Sequence, residues 1–130
     1  MAYANVTNDY IMPPSKPGGG AQIFQLADQG SAGTETDCGI PGYRFIRGVI
    51  NIKSGLANTN TFQFRVRVDD NSSQASPELV YSSPVLTFVT NDVNVSQTFY
   101  GISQIGFRYF KITGTDSGGT AVYDAVVEVY

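Results

Sequence analysis

Histidine is absent from this sequence, and so is tryptophan. The first absence removes the side chain that most often does general acid–base work near neutral pH and most often holds zinc or copper. The second removes the best stacking platform for a sugar ring. Only one cysteine is present, so no intrachain disulfide can form and a disulfide-stapled secreted scaffold is excluded. Charged residues make up 15% of the chain, against about 25% in an ordinary soluble domain. A surface so poor in charge has little repulsion to hold neighbours off, which suits a subunit packed against others. Long apolar runs are missing as well. No segment reaches the ~18 residues that suggest a membrane helix. No basic stretch followed by an apolar run opens the chain, so no signal peptide is expected and folding in a cytoplasm is.

Charge and motifs exclude more. The net charge is −3 and the isoelectric point about 4.6, with eight Lys and Arg scattered along the chain. Nucleic-acid binding needs a concentrated cationic footprint, so neither nucleic acid nor membrane is an expected partner. Two carboxylates could still hydrolyse a glycoside, and Asp124 and Glu128 share one face of a strand. Four residues apart, they stand ~13 Å from each other, beyond either working separation. No catalytic residue, cofactor or metal is therefore expected. Asp69-Asp70-Asn71 has the oxygen ligands to start a calcium site, but such a triplet more often makes a hairpin turn closed by Asx hydrogen bonds. Cys38 lies in a Gly/Pro loop with no histidine to activate it and is read as a bystander thiol. The sequons at Asn5, Asn71 and Asn94 mark polar loops only.

What is present is a strand pattern. The chain has 130 residues, 42% of them hydrophobic and 12% aromatic, enough for one domain with a core of its own. Period-two segments run over 21–27, 43–53, 61–68, 78–81, 85–90, 97–102, 107–113 and 121–130. The clearest is 61–68, where Phe62, Phe64, Val66 and Val68 alternate with Thr61, Gln63, Arg65 and Arg67. In 43–53 the residues Ile46, Gly48, Ile50 and Ile52 share a face. No window shows a helical period. The fold class predicted is all-β, a two-sheet antiparallel β-sandwich over 21–130, with Phe62, Phe64, Val66, Val68, Ile50 and Ile52 in its core. Arg65 and Arg67 form a cationic stripe on the wet face of the best strand, a candidate interface for an acidic partner surface, with Arg44, Arg47 or Arg108 as possible additions.

Residues 1–20 differ, being rich in Pro and Gly, and are read as an extended arm. Tyr3, Tyr10, Ile11 and Met12 in it would be wasted on solvent, so they are the candidate attachment residues.

The order of features along 43–130 resembles the small capsid cement, or decoration, proteins of tailed bacteriophages of the Bbp16 type. The matching pieces are Tyr81-Ser82-Ser83-Pro84 at a strand break, Arg108-Tyr109-Phe110-Lys111-Ile112 in a strand, and Gly118-Gly119-Thr120-Ala121 at a hairpin. The resemblance implies a jelly roll that oligomerises, as a dimer or trimer, on the outside of a virion shell made in a bacterial cytoplasm. Its partner would be the major capsid protein, with Tyr3, Tyr10, Ile11 and Met12 as capsid-binding residues; residues 1–20 themselves match no motif of the family. The competing reading is a carbohydrate- or receptor-binding sandwich of a phage tail or fibre, for which Tyr43, Tyr81, Tyr100 and Tyr123 are the aromatic candidates.

Overall fold

The computed structural model describes residues 20–90 and 92–130. Nine strands form: β1 (Gln22–Gln29), β2 (Thr36–Asp37), β3 (Tyr43–Ser54), β4 (Thr61–Asp69), β5 (Glu78–Ser82), β6 (Leu86–Thr87), β7 (Val95–Phe107), β8 (Tyr109–Asp116) and β9 (Val122–Val129). The one helical element among the described residues is a 3-10 turn, Ser72–Gln74. The first sheet has the order β1-β9-β3-β7 and the second β2-β8-β4-β5, with β6 also paired to β4. Every pairing is antiparallel. Along the chain, β1, β3, β7 and β9 go to the first sheet while β2, β4, β5, β6 and β8 go to the second. That winding of a four-stranded and a five-stranded sheet makes the sandwich a jelly roll.

Alternation decides which side chains the sheets enclose. Phe62, Phe64, Val66 and Val68 of β4 face inward, each no more than 1% exposed, and Ile46, Ile50 and Ile52 of β3 oppose them fully buried. Aromatic rings bridge the sheets. Phe64 of β4 lies 5.9 Å from Phe99 of β7 in an edge-on contact, and Phe24 of β1 meets Phe110 of β8 at 5.6 Å in the same geometry. Two glycines make room for such rings. A Cβ at Gly114 would come within 2.5 Å of the Phe62 ring, and one at Gly48 within 2.9 Å of the Phe99 ring. Tyr123 crosses the core and donates its hydroxyl to the Ile112 carbonyl at 3.2 Å. Burial pushes that phenol up to about 12.

Three sequence expectations change. The segment 85–90 pairs only at Leu86–Thr87, since Pro84 has no N–H to extend the ladder and Phe88 instead exchanges backbone bonds with Thr59 and Asn60. The break before it is closed by Ser83, buried, whose Oγ accepts from the Phe64 N–H at 2.9 Å and donates to the Pro84 carbonyl at 2.8 Å. The segment 97–102 belongs to a longer β7 whose alternation is masked by a buried polar residue, Ser103, donating to Glu78 Oε1 at 2.9 Å. Strand β2 falls outside every period-two segment. Two polar residues pairing at a sheet edge leave no hydrophobic period to detect.

The triplet Asp69-Asp70-Asn71 is a turn. Asp69 is buried, accepting from the Asn71 N–H at 3.2 Å and the Ser76 N–H at 2.8 Å. Burial alone would raise its carboxyl, but these donors, with Asp70, hold it below the ordinary aspartate range. Among the described residues no cluster of three or more His, Cys, Asp or Glu side chains forms a metal site.

Two measurements follow from the packing. In urea unfolding, Phe64→Ala should cost about 3–5 kcal/mol, as for a large aromatic removed from a closed core; a loss under ~1 kcal/mol would show that Phe64 does not join the sheets. Asp69→Ala should cost about 1–3 kcal/mol at pH 7, because the Ser76 and Asn71 donors lose their buried acceptor. A carboxyl lowered by folding stabilises above its unfolded value, near ~3.9, and that stability is lost as pH falls through its folded value. The difference between wild type and variant should therefore shrink below about pH 4. A difference unchanged down to strong acid would mean that the carboxylate charge plays no part.

Candidate interaction faces

With the core built from the inner faces, each sheet turns an outer face to its surroundings. On the first sheet the register places Ile23, Glu128, Arg47 and Tyr100 in one row across β1, β9, β3 and β7. The next row holds Tyr130, Phe45 and Ile102, Phe45 exchanging backbone bonds with Tyr130. On the other side lie Val126 and Val49. These rows are largely apolar and aromatic, with Ile23 65%, Ile102 47%, Tyr100 46% and Val126 45% exposed, and the face turns polar beyond them at Asn51, Ser96 and Asp124. Side chains on it hold one another in place. The Phe45 and Tyr130 rings stack at 5.4 Å, the Arg47 guanidinium lies 5.4 Å from the Tyr130 ring centroid, and Arg47 Nε reaches Glu128 Oε1 at 2.7 Å. Partial burial raises the Tyr130 hydroxyl above the ordinary tyrosine range; the Arg47 cation works against this and the Tyr100 phenol adds to it. One depression of about 190 Å³ opens here between Ile23, Arg47, Val49, Val126 and Glu128. Ligand pockets usually enclose ~300–1,000 Å³, so this one is a dimple in a broad face.

The outer face of the second sheet has the opposite character. Arg65 and Arg67 project from β4 as their alternation requires. Lys111 of β8, which had not been singled out, is the direct cross-strand partner of Arg67. The expected additions to the stripe are elsewhere. Arg47 lies on the first sheet paired with Glu128, and Arg44, also on β3, donates to the Ser103 carbonyl at 2.9 Å. Arg108, between β7 and β8, pairs with Asp37 at 2.8 Å. The signal that would have found Lys111 was available: in 109–112 it alternates with the inward Phe110 and Ile112.

Other residues singled out in the sequence have structural duties. Asp124 binds Lys53 at 2.9 Å and Glu128 binds Arg47, so both carboxylates are held in surface ion pairs. Cys38 is buried, its N–H donating to the Arg108 carbonyl and its carbonyl accepting from Gln22 Nε2. Of the four tyrosines offered for a sugar site, Tyr43 and Tyr123 are fully buried, which withdraws them. Tyr81 packs between Phe64 and Phe99, leaving Tyr100 on the exposed face. The arm residues Tyr3, Tyr10, Ile11 and Met12 lie outside the described residues.

No protein-family model matches the sequence, and no curated protein does. Among solved structures, the chain is similar to the carbohydrate-binding module CBM32 of AlyQ, solved in complex with 4,5-unsaturated mannuronic acid. The identity is 18% and the TM-score 0.45, over 83% of this chain and 76% of that one. It is similar also to the infectious bursal disease virus VP2 subviral particle, at 8% identity and a TM-score of 0.43, over 84% of this chain and 32% of that one. Neither likeness bears on what this chain binds.

Proposed function

We propose that this jelly roll is a non-catalytic virion protein, a capsid cement protein of the Bbp16 type. In this reading it binds the outer surface of a tailed-phage shell and bridges subunits of the major capsid protein. The observation that carries the proposal is the outer face of the first sheet. Tyr100 and Ile102 of β7, Phe45 of β3 and Tyr130 at the end of β9 surround Arg47, and aromatic residues and Arg are the types that dominate the centres of protein interfaces. A face already braced by ring stacking and an ion pair loses little side-chain entropy when a partner covers it.

Jelly rolls occur in viral capsids and in lectins, so the fold by itself does not choose between assembly and sugar binding. The inward placement of Tyr43 and Tyr123 and the shallowness of the dimple favour assembly. Sparse charge and the resemblance along 43–130 add to it. The arm completes the proposal, with Tyr3, Tyr10, Ile11 and Met12 gripping the shell and Pro content limiting the entropy lost on ordering. Copies of the chain associate as a dimer or trimer on that surface.

The test compares particles with and without the chain. Particles lacking it should release their DNA at a lower temperature. Ile102→Asp, and separately deletion of residues 1–17, should each reduce the amount of chain retained on particles while leaving its own melting temperature nearly unchanged. Unaltered particle stability, or a chain that does not copurify with particles and selects sugars on a glycan array, would overturn the proposal.

A further inference from the structure

The described residues contain seven cations, and they fall into two groups. Arg47, Lys53 and Arg108 are each paired with a carboxylate, and Arg44 donates to a backbone carbonyl. Arg65, Arg67 and Lys111 form no ion pair among the described residues, and all three belong to the outer face of the second sheet. The chain carries eleven acids against eight bases, yet none of the described acids pairs with these three. Instead Arg67 stands directly opposite Lys111, and Arg65 is two residues along the same face. Like charges set opposite each other across an antiparallel pair destabilise the sheet. The fold carries that repulsion without an internal counter-ion.

The guanidinium groups are also held ready. Arg67 Nη1 donates to Thr113 Oγ1 at 3.1 Å, and Arg65 Nη2 donates to Gln63 Oε1 at 3.4 Å. Each therefore lies along the sheet with most of its five N–H donors unused, in the fork that matches a carboxylate. Around them the face carries hydroxyls, with Thr113 and Ser82 beside Arg65 and Thr115 beside Gln63, while the exposed Leu79 flanks Arg67 on the β5 side.

From this segregation we infer that the outer face of the second sheet is a docking surface for a carboxylate-rich protein surface, bound through Arg65, Arg67 and Lys111. An acidic protein fits better than a nucleic acid, because three charges on an otherwise acidic chain neutralise too few phosphates to hold a duplex. The two sheets then take different partners: an apolar contact on the first and a charge-matched contact on the second. The inference deepens the reading of the chain as a packed subunit, but its test uses the isolated chain and does not depend on which particle is involved.

The probe is poly-L-glutamate, followed by backbone-amide chemical shifts in NMR. Shifts should concentrate on β4 and β8 and fade as salt is raised from 50 to 300 mM, by roughly thirty- to a hundredfold in affinity for about three released ions. Arg67→Thr/Lys111→Thr should abolish them. Lys53→Thr, which removes a cation from the opposite sheet, should leave them. Arg67→Lys, which keeps the charge but loses the fork, should weaken the shifts only in part. The melting temperature of Lys111→Thr should rise as the Arg67 repulsion is relieved, which separates lost binding from lost folding. Equal binding by the double variant and Lys53→Thr would overturn the inference, as would tighter binding of double-stranded DNA than of polyglutamate under the same salt.

Discussion

The contact on which the molecule depends is aromatic and runs between the sheets. Phe64 is at its centre, 6.4 Å from Phe62 on its own strand, 5.6 Å from Tyr81 on β5 and 5.9 Å from Phe99 across the core. Phe62 continues the chain of rings to Tyr123 of β9 at 5.8 Å. A sandwich with no intrachain disulfide must be held by such packing, and ring pairs add about 0.5–1.5 kcal/mol each beyond the area they bury. The glycines at 48 and 114 are part of the same device. Each leaves a gap on the inner face that a ring from another strand fills.

Because the core is closed by inward side chains, the outward ones are released from structural duty, and they have sorted by sheet. The first sheet shows rings and aliphatic groups around the Arg47–Glu128 ion pair, with Lys53 paired to Asp28 and Asp124 further along; the second shows unpaired cations among hydroxyls beside the exposed Leu79. Exposed ion pairs of the Arg47–Glu128 kind contribute little to stability, ~0–1 kcal/mol, so their value here is in fixing geometry. A rigid module whose opposite faces differ in chemistry is suited to sitting between two neighbours.

Much of this was legible in the sequence. The strict alternation of 61–68 located the core strand, its inward face and its outward arginines, because one dry face and one wet face leave an unambiguous period. Strand β3 was as clear for Ile46, Ile50 and Ile52. The pattern failed where polar groups go inside: Ser103 hid the length of β7, and Ser83 replaced ladder bonds where β5 ends. It failed also for tyrosine, whose polar tip and apolar body suit either side of a sheet. Tyr43 and Tyr123 went in and Tyr100 went out. Cross-strand neighbours were beyond reach. Nothing in 107–113 says that Lys111 lies opposite Arg67, since register depends on the long-range β4–β8 pairing and not on either strand alone. The aromatic face of the first sheet was missed for the same reason, being assembled from four strands spread over the chain.

The central claim is that these outer faces exist to be covered by other proteins. Cryo-electron microscopy, at side-chain resolution, of the phage particle on which the proposal places this chain tests it most directly. The account predicts density for the jelly roll outside the shell, with Tyr100, Ile102 and Arg47 buried against a neighbouring chain. A jelly roll present on the particle with both sheet faces open to solvent would contradict it.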